Sequence, residues 1–557
     1  MSGAERRIAL IGSSVGAVDA IELDADAREV DRARLTDADL AVWVGEQEAR
    51  GPVRWIMRST AALYPRLLAG GALIARSHDL ELCHAILRDT VAVDEPLPAS
   101  RDWVRQEMQT PSLLDALLED DPVDAALQQH RAQRRVLAGA SDGRLALLCA
   151  AESAGALIAE EMRIAGLPWD PQRHDQILVE VLGRRPAAGG TPERMAELAA
   201  TVRSLLGDPS VGLDSPPKLL RSLHRIGVPA TSTSRWELAQ YEHPVIAPLL
   251  EYKKLARLLS ANGWQWLADW VHDGRFRPVY IVGGVVTGRW ASAGGGALQL
   301  PRMLRPAVHA DPGWTLVVAD VAQLEPRMLA AMAGDQAMAR AAAGADLYAG
   351  VVESGAVATR DEAKYAVLGA MYGATTGDSG RLVPRLRSVY PRAMRLVDDA
   401  ARTGEEGGRV STWLGRTSPA PDAAWRAVQS LASAAEASPV DARRAGQVAR
   451  ERGRFTRNFV VQGTAAEWSL IWLAEIRHRL RALPAAEHPA PASGPFARRA
   501  HLAFFLHDEV ILHVPEEQAD AAAHAVEEAA AVATRRLFGG FPIDVPLDLR
   551  IAPTAEK

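Results

Sequence analysis

Two acids far apart in this chain of 557 residues are the ones best suited to chemistry. Asp320 ends an apolar, β-branched run, Leu316-Val317-Val318-Ala319, that reads as a buried strand. Asp508 and Glu509 stand between two apolar runs in HLAFFLHDEVILHV, His501 to Val514, which reads as a hairpin with the acids at its tip. A carboxylate at the lip of a buried strand is costly unless it is paired or holds a metal. Taken alone, Asp320 reads equally well as the capping residue of an ordinary strand-to-helix turn. Two strand-borne aspartates, however, can hold a pair of divalent cations that clamps the attacking and leaving oxygens of a phosphoryl or nucleotidyl transfer. Hard oxygen ligands suit magnesium better than zinc. At this level nuclease and polymerase both fit.

A helix between the two acids separates these readings. Thr359 to Ala374 reads TRDEAKYAVLGAMYGA, with Arg360, Lys364, Leu368 and Tyr372 at i, i+4, i+8 and i+12. At 100° per residue these positions drift by only about 40° per step and line one side of a helix. Such a face can grip a triphosphate with Arg360 and Lys364 while Leu368 and Tyr372 meet sugar and base. A nuclease has no need of that clamp. The competing reading, a solvated basic face, is weakened by the two glycines, which cost a helix stability unless something approaches closely. Gln323 and Glu325 follow Asp320 at short intervals, and Met328, Leu329 and Met332 recur at helical spacing, so a helix starts near Leu324.

In this order the three segments resemble motifs A, B and C of family A DNA polymerases, the bacterial DNA polymerase I group. Asp320, Gln323 and Glu325 match motif A; Arg360, Lys364 and Tyr372-Gly373 match motif B; His507-Asp508-Glu509 matches motif C. Thr287-Gly288-Arg289 with Leu298-Gln299-Leu300-Pro301 resembles the segment ahead of motif A. Arg457-Asn458 with Gln462-Gly463-Thr464-Ala465-Ala466-Glu467 resembles the family's QGTAA helix. The alanine- and arginine-rich, lysine-poor make-up hints at a GC-rich bacterial genome and is similar to actinobacterial chains that join an exonuclease to a DNA polymerase.

The resemblance implies a DNA-directed DNA polymerase that adds deoxynucleoside triphosphates to a primer 3′-hydroxyl, in repair or replication. It implies two magnesium ions, with manganese as a substitute, on Asp320, Asp508 and the Val321 carbonyl, and Glu509 close by. Lys364 would neutralise and protonate the departing group, and Arg360 would hold the outer phosphates. Glu325, supported by Gln323, would close the space beside the sugar 2′ carbon, and Tyr372 would pack by the templating base. Arg289, Arg454, Asn458, Gln462 and His507 would contact primer and template DNA. There are departures. Val321-Ala322 replaces the usual Tyr-Ser, and Pro326 follows Glu325. Leu368 stands where the family has Phe or Tyr against the sugar, and Tyr348 where a phosphate-binding His is common. These changes predict a slower or more permissive enzyme.

The implied fold is α/β and multidomain: a right-hand polymerase of palm, fingers and thumb preceded by a degenerate ribonuclease H-like exonuclease domain. The expected boundaries are 1–145 for the exonuclease-like domain, 146–274 for the thumb, 275–333 and 455–557 for the palm, and 334–454 for the fingers. Residues 1–145 read as alternating strands (Ile8 to Ile11, Leu40 to Val44, Ala72 to Ala75) and helices (Thr60 to Leu68, Leu80 to Leu87). The first strand is followed by GlySerSerValGlyAla, not by the Asp-x-Glu that an active proofreading domain needs, so proofreading is expected to be absent. Leu145 to Trp270 reads as helical, with Lys253 and Lys254 as candidate phosphate contacts.

Composition agrees without deciding. With 48% apolar and 24% charged residues the chain is an ordinary globular one, and its net charge of −6 confines nucleic-acid contacts to local basic patches. Two such patches are Arg381 to Arg395 and Arg443 to Arg457. Two cysteines, Cys83 and Cys149, suit a reducing cytoplasm, and no apolar run is long enough for a membrane span. A cytoplasmic, nucleoid-associated monomer is expected. A metal-dependent nuclease and a non-catalytic DNA-binding scaffold are the other classes. The missing Asp-x-Glu speaks against the first, and retention of Asp320, Asp508, Arg360 and Lys364 against the second.

Overall fold

The computed structural model describes residues 5–12, 16–100, 102–103, 122–186, 190–296, 300–373 and 377–556. Leu298 and Gln299 lie outside them. The chain divides into two compact units, one of residues 1–165, 279–293 and 312–552, the other of residues 166–278, 294–311 and 553–557.

The first unit begins with a five-stranded mixed sheet. Its strands are β1 (Arg6–Gly12), β2 (Val18–Leu23), β3 (Glu29–Leu35), β4 (Val53–Met57) and β5 (Arg76–Asp79), in the order β3-β2-β1-β4-β5. β1 pairs antiparallel with β2 and parallel with β4. It is central, so both faces are covered and its apolar run is continuous. Ile8 and Leu10 join one hydrophobic cluster with Trp55, Tyr64 and Leu67; Ala9 and Ile11 join another with Ile56 and Leu80.

Two expected strands are absent. Leu40 to Val44 belongs to a helix, Asp37–Arg50, which starts on Asp37 and Asp39 and buries Leu40, Val44 and Gln47 at i, i+4 and i+7. Its apolar residues keep a helical period across a span too short to show it. Ala72 to Ala75 is the approach to β5, not a strand.

Helix α1 (Arg144–Ala165) packs on β5 and on the later elements of the same unit. These include a second sheet of β6 (Trp314–Val321), β7 (His501–Leu506), β8 (Glu509–Pro515) and β9 (Leu547–Ala552), antiparallel throughout in the order β7-β8-β6-β9. β6 is buried along nearly its whole length because it has a strand on each side and helices over it. After β6 come α2 (Leu324–Ala333), α3 (Leu347–Glu353), α4 (Arg360–Tyr372), α5 (Pro391–Glu405) and α6 (Pro439–Leu480), and after β8 comes α7 (Ala519–Phe538). α6 runs for 42 residues from a capping box between Ser438 and Asp441. Trp468 and Trp472 fasten it to α7 through indole N–H bonds to Thr534 Oγ1 (3.0 Å) and the Val526 carbonyl (3.1 Å).

A buried junction ties the first sheet to α6. The Glu161 carboxylate accepts from the Tyr64 hydroxyl and from the Arg477 guanidinium (2.8 and 2.6 Å), and Arg477 also donates to the Ala75 carbonyl (2.9 Å).

The second unit is mainly helical, with Pro171–Leu182, Glu193–Leu206, Pro216–Arg225 and Ile246–Asn262 around a cluster of Trp169, His174, Trp266 and Phe276. Lys253 donates to Thr233 Oγ1 (3.0 Å) and Lys254 pairs with Glu251 (3.3 Å), so both candidate phosphate contacts already hold partners. Among the described residues, no helix is long and apolar enough to cross a membrane.

Candidate active site

Strand register brings the acids together. On β6, Asp320 lies directly opposite Glu509 of β8 on one side and Asp548 of β9 on the other. Asp508 occupies the turn before β8, and its carbonyl accepts from the Val321 N–H (2.9 Å). Glu509 is therefore a buried strand residue and not part of the hairpin tip, because pairing with β6 begins at Glu509 itself. Asp548 was not singled out from sequence. Its only signal is an acid at the start of a short final strand, and what makes it a neighbour of Asp320 is the sheet order.

Three carboxylates side by side across strands repel one another. Burial, followed by the influence of Glu325 and Asp320 and opposed by the Arg289 guanidinium, pushes the Asp508 carboxyl up to about 6. Among the described residues no trio of His, Cys, Asp and Glu is gathered closely enough to enclose an ion alone. The hard oxygens of Asp320 and Asp508 suit a divalent cation.

Glu325 is the hub of the site. Its side chain is 8% exposed, and its two oxygens accept separately from the Arg289 guanidinium and the Tyr372 hydroxyl. It thus joins the Thr287-Gly288-Arg289 segment, the start of α2 and the end of α4. Burial and the bond to Glu325 push the Tyr372 hydroxyl well above its ordinary range, and burial with the nearby Glu325 charge takes Tyr348 up to about 12.

Two residues beside this hub have backbone that side chains normally avoid. Gln323 (φ 48°) and His507 (φ 56°) are left-handed, with only Ala27 and Asp273 sharing that state among the described non-glycine residues. Such conformations persist where the surroundings over-determine them. At Gln323 the side-chain oxygen accepts from the Leu347 N–H (3.2 Å) and from Arg327 (3.3 Å). Gln323 is thus a strut to α3. Burial and then the Arg289 charge lower the His507 imidazole.

α4 is held by a full capping box, Thr359 with Glu362, and ends on Gly373 in a left-handed turn. A Cβ on Gly373 would meet Arg454 Cγ at 2.7 Å, which places Arg454 over the end of α4. Arg360 is half exposed, donates to Asp346 (2.6 Å) and lies over the Tyr348 ring at 5.7 Å. Lys364 is exposed, and Leu368 is half-buried on the same helix. On α6, Asn458 Oδ1 is buried without a hydrogen-bond partner, and Gln462 spends its carbonyl oxygen on Thr287 (2.8 Å), which keeps its amide N–H groups for another partner.

The basic patches are partly internal struts. Arg457 donates to the Ala370 carbonyl (2.6 Å) and pairs with Asp398, Arg387 also takes Asp398 (2.9 Å), and Arg452 donates to the Gly408 and Pro419 carbonyls (3.1 and 2.9 Å). Arg443, Arg444 and Arg450 stay exposed. Arg327 went unnoticed in the sequence. It is fully buried and donates to the carbonyls of Ala322 (2.8 Å), Asp544 (2.8 Å) and Gly344 (3.0 Å), so it rivets the turn after β6 to the segments before α3 and β9. Burial lowers its pKa to about 10.

Known proteins are similar to this chain. The sequence profile of DNA polymerase family A matches residues 189–555. The thermostable DNA polymerase I of Thermus aquaticus is 26% identical over 399 residues, 64% of this chain and 43% of that protein. The DNA polymerase I of Chloroflexus aurantiacus is 28% identical over 435 residues, 70% of this chain and 41% of that protein. The chain thus spans about two-fifths of the length of these relatives. The solved POL domain of Pol1 from M. smegmatis, in complex with DNA primer-template and dNTP, superposes with a TM-score of 0.71 at 19% identity, covering 100% of this chain and 96% of that one. The matched span takes in Asp320, Glu325, Arg360, Lys364 and Asp508, the residues on which the site is built, and this chain belongs to DNA polymerase family A.

Proposed function

We propose that the chain is a DNA-directed DNA polymerase that extends a primer 3′-hydroxyl with deoxynucleoside triphosphates. The observation that carries this reading is the Glu325 hub, which joins the end of the Arg360–Lys364 helix to the Arg289 segment and to the start of α2, just after the strand that ends on Asp320. Dependence on a divalent cation goes with the family. Here Asp320, Asp508 and the Val321 carbonyl would hold two magnesium ions, or manganese, with Glu509 behind them. When bound, the ions supply positive charge at the attacking and leaving oxygens.

The protein groups then divide the work. Lys364 and Arg360 bind the triphosphate, Arg360 on the outer phosphates, with Tyr348 beside it. Lys364 Nζ stabilises the pyrophosphate as it leaves and can give it a proton. Glu325, locked by Arg289 and Tyr372, occupies the space a ribose 2′-hydroxyl would need, and Leu368 borders the sugar. Gln323 fixes α3 against α2. Tyr372 packs by the templating base. Arg289, Arg454, Asn458, Gln462 and His507 contact primer and template, and sequence comes from base pairing alone.

The domain reading is 1–145 exonuclease-like, 146–274 thumb, 275–333 and 455–557 palm, and 334–454 fingers, in a monomer of the cytoplasm and nucleoid. The first of these is a degenerate ribonuclease H-like domain, supported by its mixed sheet around β1 and by β1 itself, RRIALIG, which offers no carboxylate to a metal. Single deoxynucleotides offered against each template base test the activity. Incorporation of the complementary one alone, lost in Asp320→Ala, is expected; incorporation without regard to template would overturn the reading.

A further inference from the structure

Apart from the polymerase site, the first unit carries a second cleft, of about 450 Å³. It is walled by the starts of β4 and β5 and by α1, α6 and α7, and none of the residues around Asp320 and Asp508 lines it. One side is small and apolar, with Ala150, Ala151, Ala154 and Ile471; the other carries Arg54, Arg76, Arg477, Arg481 and Arg536.

These five arginines share three carboxylates. Glu5 pairs with Arg54 (3.1 Å) and Arg76 (2.8 Å), Glu161 with Arg477 (2.6 Å), and Glu475 with Arg536 (2.9 Å). Arg481 has none: its guanidinium donates to the backbone carbonyls of Ile74 (2.7 Å) and Leu73 (3.3 Å). Four residues before it, on α6, the buried Arg477 guanidinium also lines the cleft and takes the Glu161 carboxylate. Burial, and next the Arg477 charge, depress the Arg481 pKa, against the pull of Glu161 and Glu48. Arg289, Arg416 and Arg457 of the same unit each have a carboxylate.

We propose that this cleft binds a small phosphate-bearing ligand of nucleotide size, its phosphates on Arg481, Arg76 and Arg536 and its flat, less polar part on the alanine wall. The planar, multi-donor guanidinium is the side chain best matched to phosphate oxygens. The volume falls within the roughly 300–1,000 Å³ of ordinary small-ligand pockets. A nucleoside phosphate has the required two-sided character, and a continuous strand is disfavoured by a concave site with room for about one nucleotide. The inference stands whether or not the chain polymerises DNA.

Calorimetric titration of the full chain in EDTA, with adenosine 5′-diphosphate and separately inorganic pyrophosphate as probes, tests it without loading the polymerase site with metal. Binding of the diphosphate is expected, weakened at least tenfold by Arg481→Gln and severalfold by Arg536→Gln, and unchanged by Arg360→Gln and Lys364→Gln. Glutamine keeps amide donors for the Ile74 and Leu73 carbonyls. Arg536 is about half exposed, so its variant keeps the test valid if Arg481→Gln unfolds. Pyrophosphate binding more weakly than the diphosphate supports a role for the apolar wall. The proposal is overturned if the diphosphate does not bind, if binding follows Lys364 and not Arg481, or if a short single-stranded oligonucleotide displaces the diphosphate far below the diphosphate's own dissociation constant.

Discussion

Glu325 shows how much one side chain can be asked to do. It is nearly sealed from water and holds two donors, so its removal leaves the partly buried Arg289 guanidinium without its carboxylate, at roughly 1–3 kcal/mol, and takes the acceptor from the hydroxyl of Tyr372, which is 41% exposed. Glu325→Ala should therefore lower discrimination against ribonucleotides by roughly tenfold to a hundredfold in single-nucleotide incorporation. Tyr372→Phe, which removes only one donor, should cost no more than about 1 kcal/mol. In the proposed reading Leu368 borders the sugar, and its half-buried aliphatic chain would offer no ring to stack on. Leu368→Phe is expected to change dideoxynucleotide and mismatch discrimination severalfold, and unchanged values for both would remove Leu368 from the account. Residue types and spacing were enough to pick out Asp320, Asp508, Glu325 and the Arg360–Lys364 pair. Arg327 and Arg457 were not legible in this way. An arginine on a helix looks alike in sequence whether it faces phosphate or a ring of backbone carbonyls, and what decides is the element lying opposite.

At the scale of elements, α6 and the segment from Thr412 to Arg416 form a clasp behind the site. Thr412 Oγ1 and the Leu414 N–H (2.9 Å) both donate to the buried Glu467 carboxylate, and a Cβ on Gly463 would strike Thr412 Cγ2 at 2.3 Å, so only glycine admits so close a contact. Burial raises the Glu467 pKa to about 7, against the pull of Thr412, Leu414 and Arg416. In the unfolded chain this group loses its proton near 4.5 and in the folded chain near 7, so between those values the folded state binds more protons. Stability from this group is then full below about 4.5 and lost as pH rises through about 7, by roughly 3 kcal/mol. Glu467→Gln should flatten that slope in urea unfolding followed from pH 4.5 to 8, and an unaltered slope would contradict the assignment. The glycine was visible in the QGTAA segment, whereas its partner Thr412, 51 residues upstream of Gly463, was not, because nothing in the intervening chain marks which loop returns to the helix. The misread Leu40 to Val44 has a related cause: a run of five apolar residues cannot distinguish a short strand from part of a helix.

For the molecule as a whole, the Tyr64–Glu161–Arg477 junction makes the first sheet and α6 one body. The pair is buried, so breaking it on one side is costly even where the intact pair contributes little. Glu161→Ala should destabilise by about 3–5 kcal/mol and Tyr64→Phe by about 1 kcal/mol, both read from chemical unfolding of the full chain; equal effects would show that the hydroxyl and not the charge matters. The net charge of −6 was the least informative number in the sequence, since several of the basic groups turn inward onto carbonyls and carboxylates. Motif order, by contrast, carried the family across the whole second half of the chain. The most direct test of the central claim is primer extension on a templated 5′ overhang with magnesium and all four deoxynucleotides, beside Asp508→Ala and a lane without nucleotides. The account predicts full-length product from the parent, none from Asp508→Ala, and an untrimmed primer without nucleotides. A parent that binds the duplex but leaves the primer unextended would contradict it.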